Sequence, residues 1–195
     1  MTHAFIFASA ADAPLAALCR ERLLSLGWAA NVIGDEVDFP RGDRLSGTDC
    51  ALGMAEAMMV GRAAVMFAAT GGVVAKIDAD TLVTDEGVDW LSGATDKARC
   101  LHLVPGRWCG IWSAPASSLP AVSALLRGAS CVHCPESRLF ELAFEKTCGT
   151  EYGGPGGKVW MPGRSVGGGM LTLPSNVRGD RRIAAGEAMF RLAIG

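Results

Sequence analysis

The sequence lacks both an excess of charge of one sign and any long hydrophobic run. Its 195 residues carry 18 Lys and Arg against 20 Asp and Glu, a net charge of −2, so there is no overall basic field for a nucleic-acid partner. No uninterrupted apolar stretch approaches the ~20 residues that cross a bilayer. Half of the residues are hydrophobic, which disfavours disorder. These features predict a single globular domain over 1–195, with no nucleic-acid role and no membrane span.

Basic residues are absent before Arg20, although Ala8-Ser9-Ala10 is similar to a signal-peptidase site. A secretory leader needs a basic start and an apolar run of roughly 7–15 residues, and the run Ala4–Ala8 is shorter. We therefore expect a first strand here and a cytoplasmic protein. The seven cysteines are odd in number and widely spread, which fits reduced cysteines better than a disulfide framework. Cys131 and Cys134 leave a redox pair as the weaker alternative.

The first part of the chain alternates between strand and helix patterns. His3–Ser9 and Trp28–Gly34 are apolar runs typical of buried parallel strands. Between them, apolar residues from Leu15 to Leu26 recur on one helical face, with Asp12 placed to cap the helix. Strand, helix and strand in this order predict a βαβ unit, which builds a parallel sheet. A helix ending at Ala69 is expected before the next strand.

The rest of the chain continues the α/β pattern until a glycine-rich stretch. Strands are predicted at Val73–Ile77, Arg99–Val104 and near Cys109–Trp112, and helices from Thr84-Asp85, over Ser117–Leu126, over Glu136–Lys146 and over Ile183–Ile194. From Gly149 to Gly169, nine of 21 residues are glycine, which predicts a long loop. The whole predicts a single α/β domain with a mainly parallel central sheet flanked by helices.

Two acidic side chains, Asp78 and Asp80, come directly after the third predicted strand, Val73–Ile77. Open α/β sheets bind their ligands at this end of a strand. Two ionised carboxylates there repel each other and lose hydration, and a divalent cation relieves both effects. Oxygen ligands suit Mg²⁺ or Mn²⁺. The alternative is that the pair only begins a loop, with Asp80 capping a turn.

The segment VVAKIDADTLV resembles the DxD-containing strand of the GT-A fold, the fold of nucleotide-sugar-dependent glycosyltransferases. The strand and helix after Gly110 and the acidic turn Cys134-Pro135-Glu136 are similar to the acceptor-side part of that family. The resemblance implies a nucleotide- and metal-binding part at about 1–83 and an acceptor-side part at about 98–195, which includes the glycine-rich loop. It also implies transfer of a sugar from a nucleotide-sugar donor, a nucleoside diphosphate sugar, to a hydroxyl acceptor.

The resemblance further implies roles for individual residues. Asp78 and Asp80 would hold Mn²⁺ or Mg²⁺ on the donor diphosphate, and Glu136 would be the general base that deprotonates the acceptor. Ser9 and Asp35 would lie near the base and ribose of the nucleotide.

Two lysines complete the implied donor site. Lys76 would be a nucleotide contact or a structural contact. Lys158 would offer a cation to the donor phosphates from a lid formed by the glycine-rich loop, which would exclude water during transfer.

Two other functions stay open at this point. A phosphohydrolase of the haloacid dehalogenase type would use Asp78 as its nucleophile, although Leu82 stands where that family's motif has threonine. A non-catalytic nucleotide-binding relative would keep the fold alone. The basic cluster of Arg178, Arg181 and Arg182 is predicted to be a solvated helix start, with phosphate binding as the alternative. The pair of Trp108 and Trp112 either stacks on a sugar or base or belongs to the core.

Overall fold

The computed structural model describes residues 1–8, 10–34, 60–64, 66–67, 71–104, 107–128, 136–152, 154–159, 168–173 and 177–194. The strands are β1 (Thr2–Ala8), β2 (Ala29–Gly34), β3 (Val73–Asp78), β4 (Thr81–Val83), β5 (Ala98–Val104), β6 (Arg107–Pro115), β7 (Thr150–Glu151), β8 (Gly157–Val159) and β9 (Met170–Thr172). The helices are α1 (Ala13–Ser25), α2 (Asp85–Ser92), α3 (Leu119–Gly128), α4 (Glu136–Thr147) and α5 (Asp180–Ile194). Short 3₁₀ turns span Ala10–Asp12 and Ala116–Ser118, and residues 60–64 and 66–67 are helical.

A six-stranded sheet in the order β2-β1-β3-β6-β5-β7 forms the centre of the fold. Strand β1 pairs in parallel with both β2 and β3, whereas β6 is antiparallel to both of its neighbours, β3 and β5. The α/β fold with a central sheet flanked by helices is therefore confirmed. Strands β2, β1 and β3 are parallel to one another, and antiparallel β6 makes the sheet as a whole mixed.

Both faces of the central sheet are covered, so its strands are apolar almost throughout. Alternate residues of β1 point to opposite faces: Ile6 packs toward α1 and α5, and Phe5 packs toward α3 and α4. On the second face, Trp112 is fully buried, with its ring 5.5 Å from Phe5 and 4.8 Å from Phe144, edge-on in both cases. Of the two roles open for Trp112, the structure shows core packing.

A local capping signal marks the start of α2, whereas the one expected for α1 is not used. The Thr84 side chain accepts a hydrogen bond from the backbone N–H of Gly87 at 3.2 Å, as expected for the N-cap of α2. Asp12 stands at the N-cap position of α1 but makes no side-chain cap hydrogen bond there, so the predicted capping role is wrong. Cys19 and Cys100 are buried and behave as small hydrophobic residues. Cys131 and Cys134 lie outside the described residues.

The glycine-rich stretch is in part a small sheet, where the sequence predicted a loop. Strands β4, β9 and β8 pair in that order, with β4 and β9 antiparallel and β8 and β9 parallel. The glycines here allow backbones to approach closely. The backbone N–H of Gly169 donates to the carbonyl of Gly156 at 2.7 Å, and a Cβ on Gly169 would lie 2.9 Å from the carbonyl of Pro155. Residues 153 and 160–167 lie outside the described part.

None of the helices in the described ranges is long and apolar enough to span a membrane.

Gly87 provides a test of how α2 is fixed to the small sheet. A Cβ at this position would lie 1.9 Å from the carbonyl oxygen of Gly169, which accepts a hydrogen bond from the backbone of Thr84. Gly→Ala in a helix ordinarily stabilises it by up to ~1 kcal/mol. Here we expect G87A to lower the free energy of unfolding by about 1–3 kcal/mol because backbone must move.

Urea denaturation measures this change, with G156A as the control because a Cβ on Gly156 meets nothing within 4 Å. We expect the control to stay within about 0.5 kcal/mol of the wild type. A G87A protein as stable as G156A would contradict the close contact.

Candidate functional site

The order of the strands places a ligand crevice at one edge of the central sheet. Strand β1 lies between β2 and β3 and is parallel to both, so the chain connections lead away from β1 in opposite directions. Open α/β sheets bind ligands at such a reversal, outside the carboxyl ends of the strands. Asp12 follows β1 and Asp80 follows β3 at this edge. The backbone N–H of Ala79 donates to the carbonyl of Phe7 at 3.0 Å, which joins the two strand ends.

A cleft of about 570 Å³ opens at this edge. Its walls come from the turn after β1, the end of β3, strands β8 and β9, and the segment that leads into α5. The charged residues that line it within the described ranges are Asp12, Asp78, Asp80, Arg178 and Arg182. The volume is within the range of small-molecule sites, which is roughly 300–1,000 Å³.

Asp78 is the last residue of β3, and its carboxylate forms an ion pair with a lysine of the same strand. Lys76 lies two residues earlier and so shares a face of the strand with Asp78. Its ammonium Nζ is 2.7 Å from Asp78 Oδ1 and 4.7 Å from the centre of the Phe7 ring. The Lys76 side chain is only 1% exposed, and a buried ammonium is tolerated when a carboxylate and an aromatic face compensate for lost water. Lys76 therefore fixes the Asp78 carboxylate from beneath the cleft.

Asp80 is held by a residue far away in the sequence. Arg182, in the first turn of α5, donates from Nη2 to Asp80 Oδ2 at 2.5 Å and from Nε to Asp12 Oδ1 at 3.1 Å. The guanidinium thus bridges the turns that follow β1 and β3. Burial raises the pKa of Asp80, and the positive charge and hydrogen bond of Arg182 partly offset that rise.

The structure brings Asp78 and Asp80, the two predicted metal ligands, to the same cleft. Lys158 is exposed on β8 and is not among the described residues that line the cleft, although its neighbour Val159 is. Lys76 lies under Asp78 rather than on the cleft surface.

The other predicted site residues cannot be placed against the cleft. Ser9 and Asp35 lie outside the described residues. Glu136 is the first residue of α4, and its side chain lies outside the described part. Their predicted roles stay predictions.

The donor chemistry of the cleft fits a hard divalent cation. In the part of the chain that the structure describes, no group of three or more His, Cys, Asp or Glu side chains is placed to hold a metal. Asp78 and Asp80 line one cleft, and Mg²⁺ or Mn²⁺ is commonly bound through one or two carboxylates, with water and substrate phosphates completing the shell. Each aspartate also bonds to a cation of the chain itself, Lys76 or Arg182.

The bridge that Arg182 makes between Asp12 and Asp80 was not predicted from the sequence, which gave Asp12 only as a helix cap and Arg182 only as part of a basic cluster. The arginine cluster was expected to be solvated, and only Arg181 and Arg178 are exposed, with Arg178 lining the cleft. No local pattern could have paired Arg182 with these aspartates, because it is 102 positions from Asp80 and 170 from Asp12 in the sequence. The only signal was an unusually basic start to a predicted helix, where acidic residues are favoured.

Searches by sequence find no protein-family model and no curated protein that match. Among solved structures, the chain is similar to a glycosyltransferase involved in the glycosylation of the major capsid of PBCV-1, with a TM-score of 0.60 and 13% identity, over 94% of this chain and 98% of that one. The chain has the fold of a glycosyltransferase. A second glycosyltransferase, the apo form of GlyE from Streptococcus pneumoniae TIGR4, aligns at a TM-score of 0.48 and 12% identity, over 78% of this chain and 45% of that one.

The resemblance read from VVAKIDADTLV is thus confirmed at the level of the fold. In this fold, the strand that carries Asp78 pairs with β1, and it ends at the edge of the sheet where the cleft opens.

The pair of Lys76 and Asp78 is expected to contribute to stability as well as to the site. D78N removes the charge that compensates the buried ammonium, so we expect the free energy of unfolding to fall by about 1–3 kcal/mol. D89N, at an exposed position of α2, is the matched control and should change it by less than about 0.5 kcal/mol.

A double-mutant cycle with K76M separates the pair from its surroundings. Because the two charges stabilise each other, we expect K76M/D78N to lose less free energy of unfolding than the sum of the losses in the two single variants. Additive losses in urea denaturation would show that the two side chains act independently.

Proposed function

We propose that this chain transfers a sugar from a nucleoside diphosphate sugar to a hydroxyl acceptor, with Mg²⁺ or Mn²⁺ held by Asp78 and Asp80. The observation that carries the proposal is the position of these two carboxylates. Both line one cleft at the carboxyl edge of β3, beside the strand reversal at β1. The similarity in fold to a solved glycosyltransferase supports it independently of the motif.

The residues at the cleft have different roles in binding the donor. Asp78 and Asp80 provide carboxylate oxygens for the cation, and the cation's chemistry is Lewis-acid stabilisation of the charge that develops on the departing diphosphate. Lys76 holds Asp78 in place from below. Arg178 is exposed and lines the cleft, so its guanidinium can donate to phosphate oxygens, for which arginine is well suited.

Thermal unfolding with nucleotides tests donor binding. We expect a nucleoside diphosphate together with Mn²⁺ to stabilise the wild type by about 2.7 kcal/mol at a hundred times Kd, a rise in Tm of roughly 5–10 °C for a domain of this size. D80N should lose the rise because it removes the negative charge of one of the two carboxylates proposed to hold the cation, whereas D89N should keep it.

The same panel separates the proposal from its alternatives. Hydrolysis of a generic phosphate ester that is lost in D78N would identify a phosphohydrolase instead. Nucleotide binding without turnover of any donor, by transfer or by hydrolysis, would identify a binding protein. No rise in Tm with any nucleoside diphosphate and Mn²⁺ would overturn the proposal.

Glu136, at the start of α4, is the base that we propose for the acceptor hydroxyl. E136Q keeps the shape of the side chain and removes its basicity. We expect kcat for sugar transfer to fall by about 10²-fold or more, while the nucleotide-dependent rise in Tm is unchanged.

E86Q, at an exposed position in the first turn of α2, controls for the loss of a surface carboxylate at a helix start. Equal kcat values for E136Q and E86Q would remove Glu136 from the mechanism while leaving donor binding intact.

A further inference from the structure

Arg182 connects three parts of the chain that are far apart in sequence. It sits in the first turn of α5 and bonds to Asp12 in the turn after β1 and to Asp80 in the turn after β3. Its side chain is 20% exposed, and those of Asp12 and Asp80 are 25% and 17% exposed. The contact is therefore partly shielded from water but still opens onto the cleft.

Among the residues that the structure describes, the charges that line or underlie the cleft balance. Asp12, Asp78 and Asp80 are acidic, Arg178 and Arg182 are basic, and Lys76 adds a third positive charge beneath Asp78. A cleft with balanced charge attracts a lone divalent cation weakly. A lone diphosphate is attracted equally weakly, because the acidic residues oppose it.

We infer that Arg182 is a built-in counter-ion of Asp80 that sets the affinity of the cleft for a divalent cation. The inference rests on the proposed function, since it takes Asp80 as a ligand. The guanidinium is bonded to one carboxylate oxygen of Asp80, and its charge opposes a second cation a few ångströms away. A cation must therefore share Asp80 with Arg182 or displace it.

This arrangement selects for the cation and the diphosphate together. When both enter, the negative charge of the phosphates offsets the added positive charge, and a displaced Arg182 can donate its hydrogen bonds to phosphate oxygens instead. Arg182 is thus a specificity-determining residue that disfavours a metal without a nucleotide.

Binding of Mn²⁺ alone tests the inference, measured from the electron paramagnetic resonance signal of unbound Mn²⁺ with no nucleotide present. R182Q should bind Mn²⁺ on the order of tenfold more tightly than the wild type, because a positive charge next to Asp80 is gone. R181Q removes the same charge one residue away, at an exposed position, and should bind like the wild type. Equal affinities for R182Q and R181Q would overturn the inference.

Two further variants show that the effect acts through Asp80. R182Q/D80N should bind Mn²⁺ no more tightly than D80N, and a gain that persists without the Asp80 carboxylate would overturn the inference. R182K keeps the charge but has no planar fork to bond Asp12 and Asp80 together, so it should show a smaller gain than R182Q. If R182Q does not fold, R182M, which also removes the charge, replaces it, and equal affinities for R182M and R181Q then overturn the inference.

The outcome is separable from that of the proposed function. A gain in Mn²⁺ affinity in R182Q through Asp80, with no nucleotide binding by the wild type, supports the role of Arg182 and removes the sugar donor. Binding of nucleotide with Mn²⁺ by the wild type, with no gain in R182Q, keeps the donor and overturns the counter-ion.

Discussion

The compensation of acidic charge at the carboxyl edge of β3 is the constraint on which the site depends. Asp78 and Asp80 are partly removed from bulk water by the walls of the cleft, and Asp78 bonds to Lys76 and Asp80 to Arg182. Carboxylates removed from water without such partners would be protonated or would destabilise the fold. The two cations differ in origin, because Lys76 is local to the strand and Arg182 arrives from the final helix.

The small sheet of β4, β9 and β8 gives the cleft its outer wall. It is held by close backbone contacts, such as the hydrogen bond from the Gly169 N–H to the carbonyl of Gly156. A Cβ on Gly168 or Gly169 would lie within 3 Å of the carbonyl of Gly156 or Pro155 respectively, so these two glycines serve packing as well as turns. The backbone of Leu173 donates to the carbonyl of Asp80 at 3.3 Å, which couples this wall directly to the acidic pair.

Much of the fold and part of the site followed from local patterns. Apolar runs gave β1, β2 and β3 because strands covered on both faces are apolar throughout, and Thr84 marked the start of α2. Asp78 and Asp80 were predicted to lie together at a ligand crevice because such sheets bind ligands at the carboxyl ends of their strands. The pairing of β8 with β9 was missed, since strands of three residues are too short to carry a periodic signal. Asp12 was predicted to cap α1, whereas its carboxylate bonds to Arg182. Only the capping role has a local signal in the sequence.

By itself, the sequence determined the βαβ start, the apolar strands, the order of most helices and the acidic pair after β3, because these features depend on neighbours a few residues apart. Only the tertiary structure decided that β6 runs antiparallel within the sheet, that β8 of the glycine-rich stretch joins a small sheet beside the cleft, and that Arg182 bridges Asp12 and Asp80. Contacts between residues from tens to more than a hundred positions apart depend on how packed layers bring chain segments together, and no local spacing encodes that.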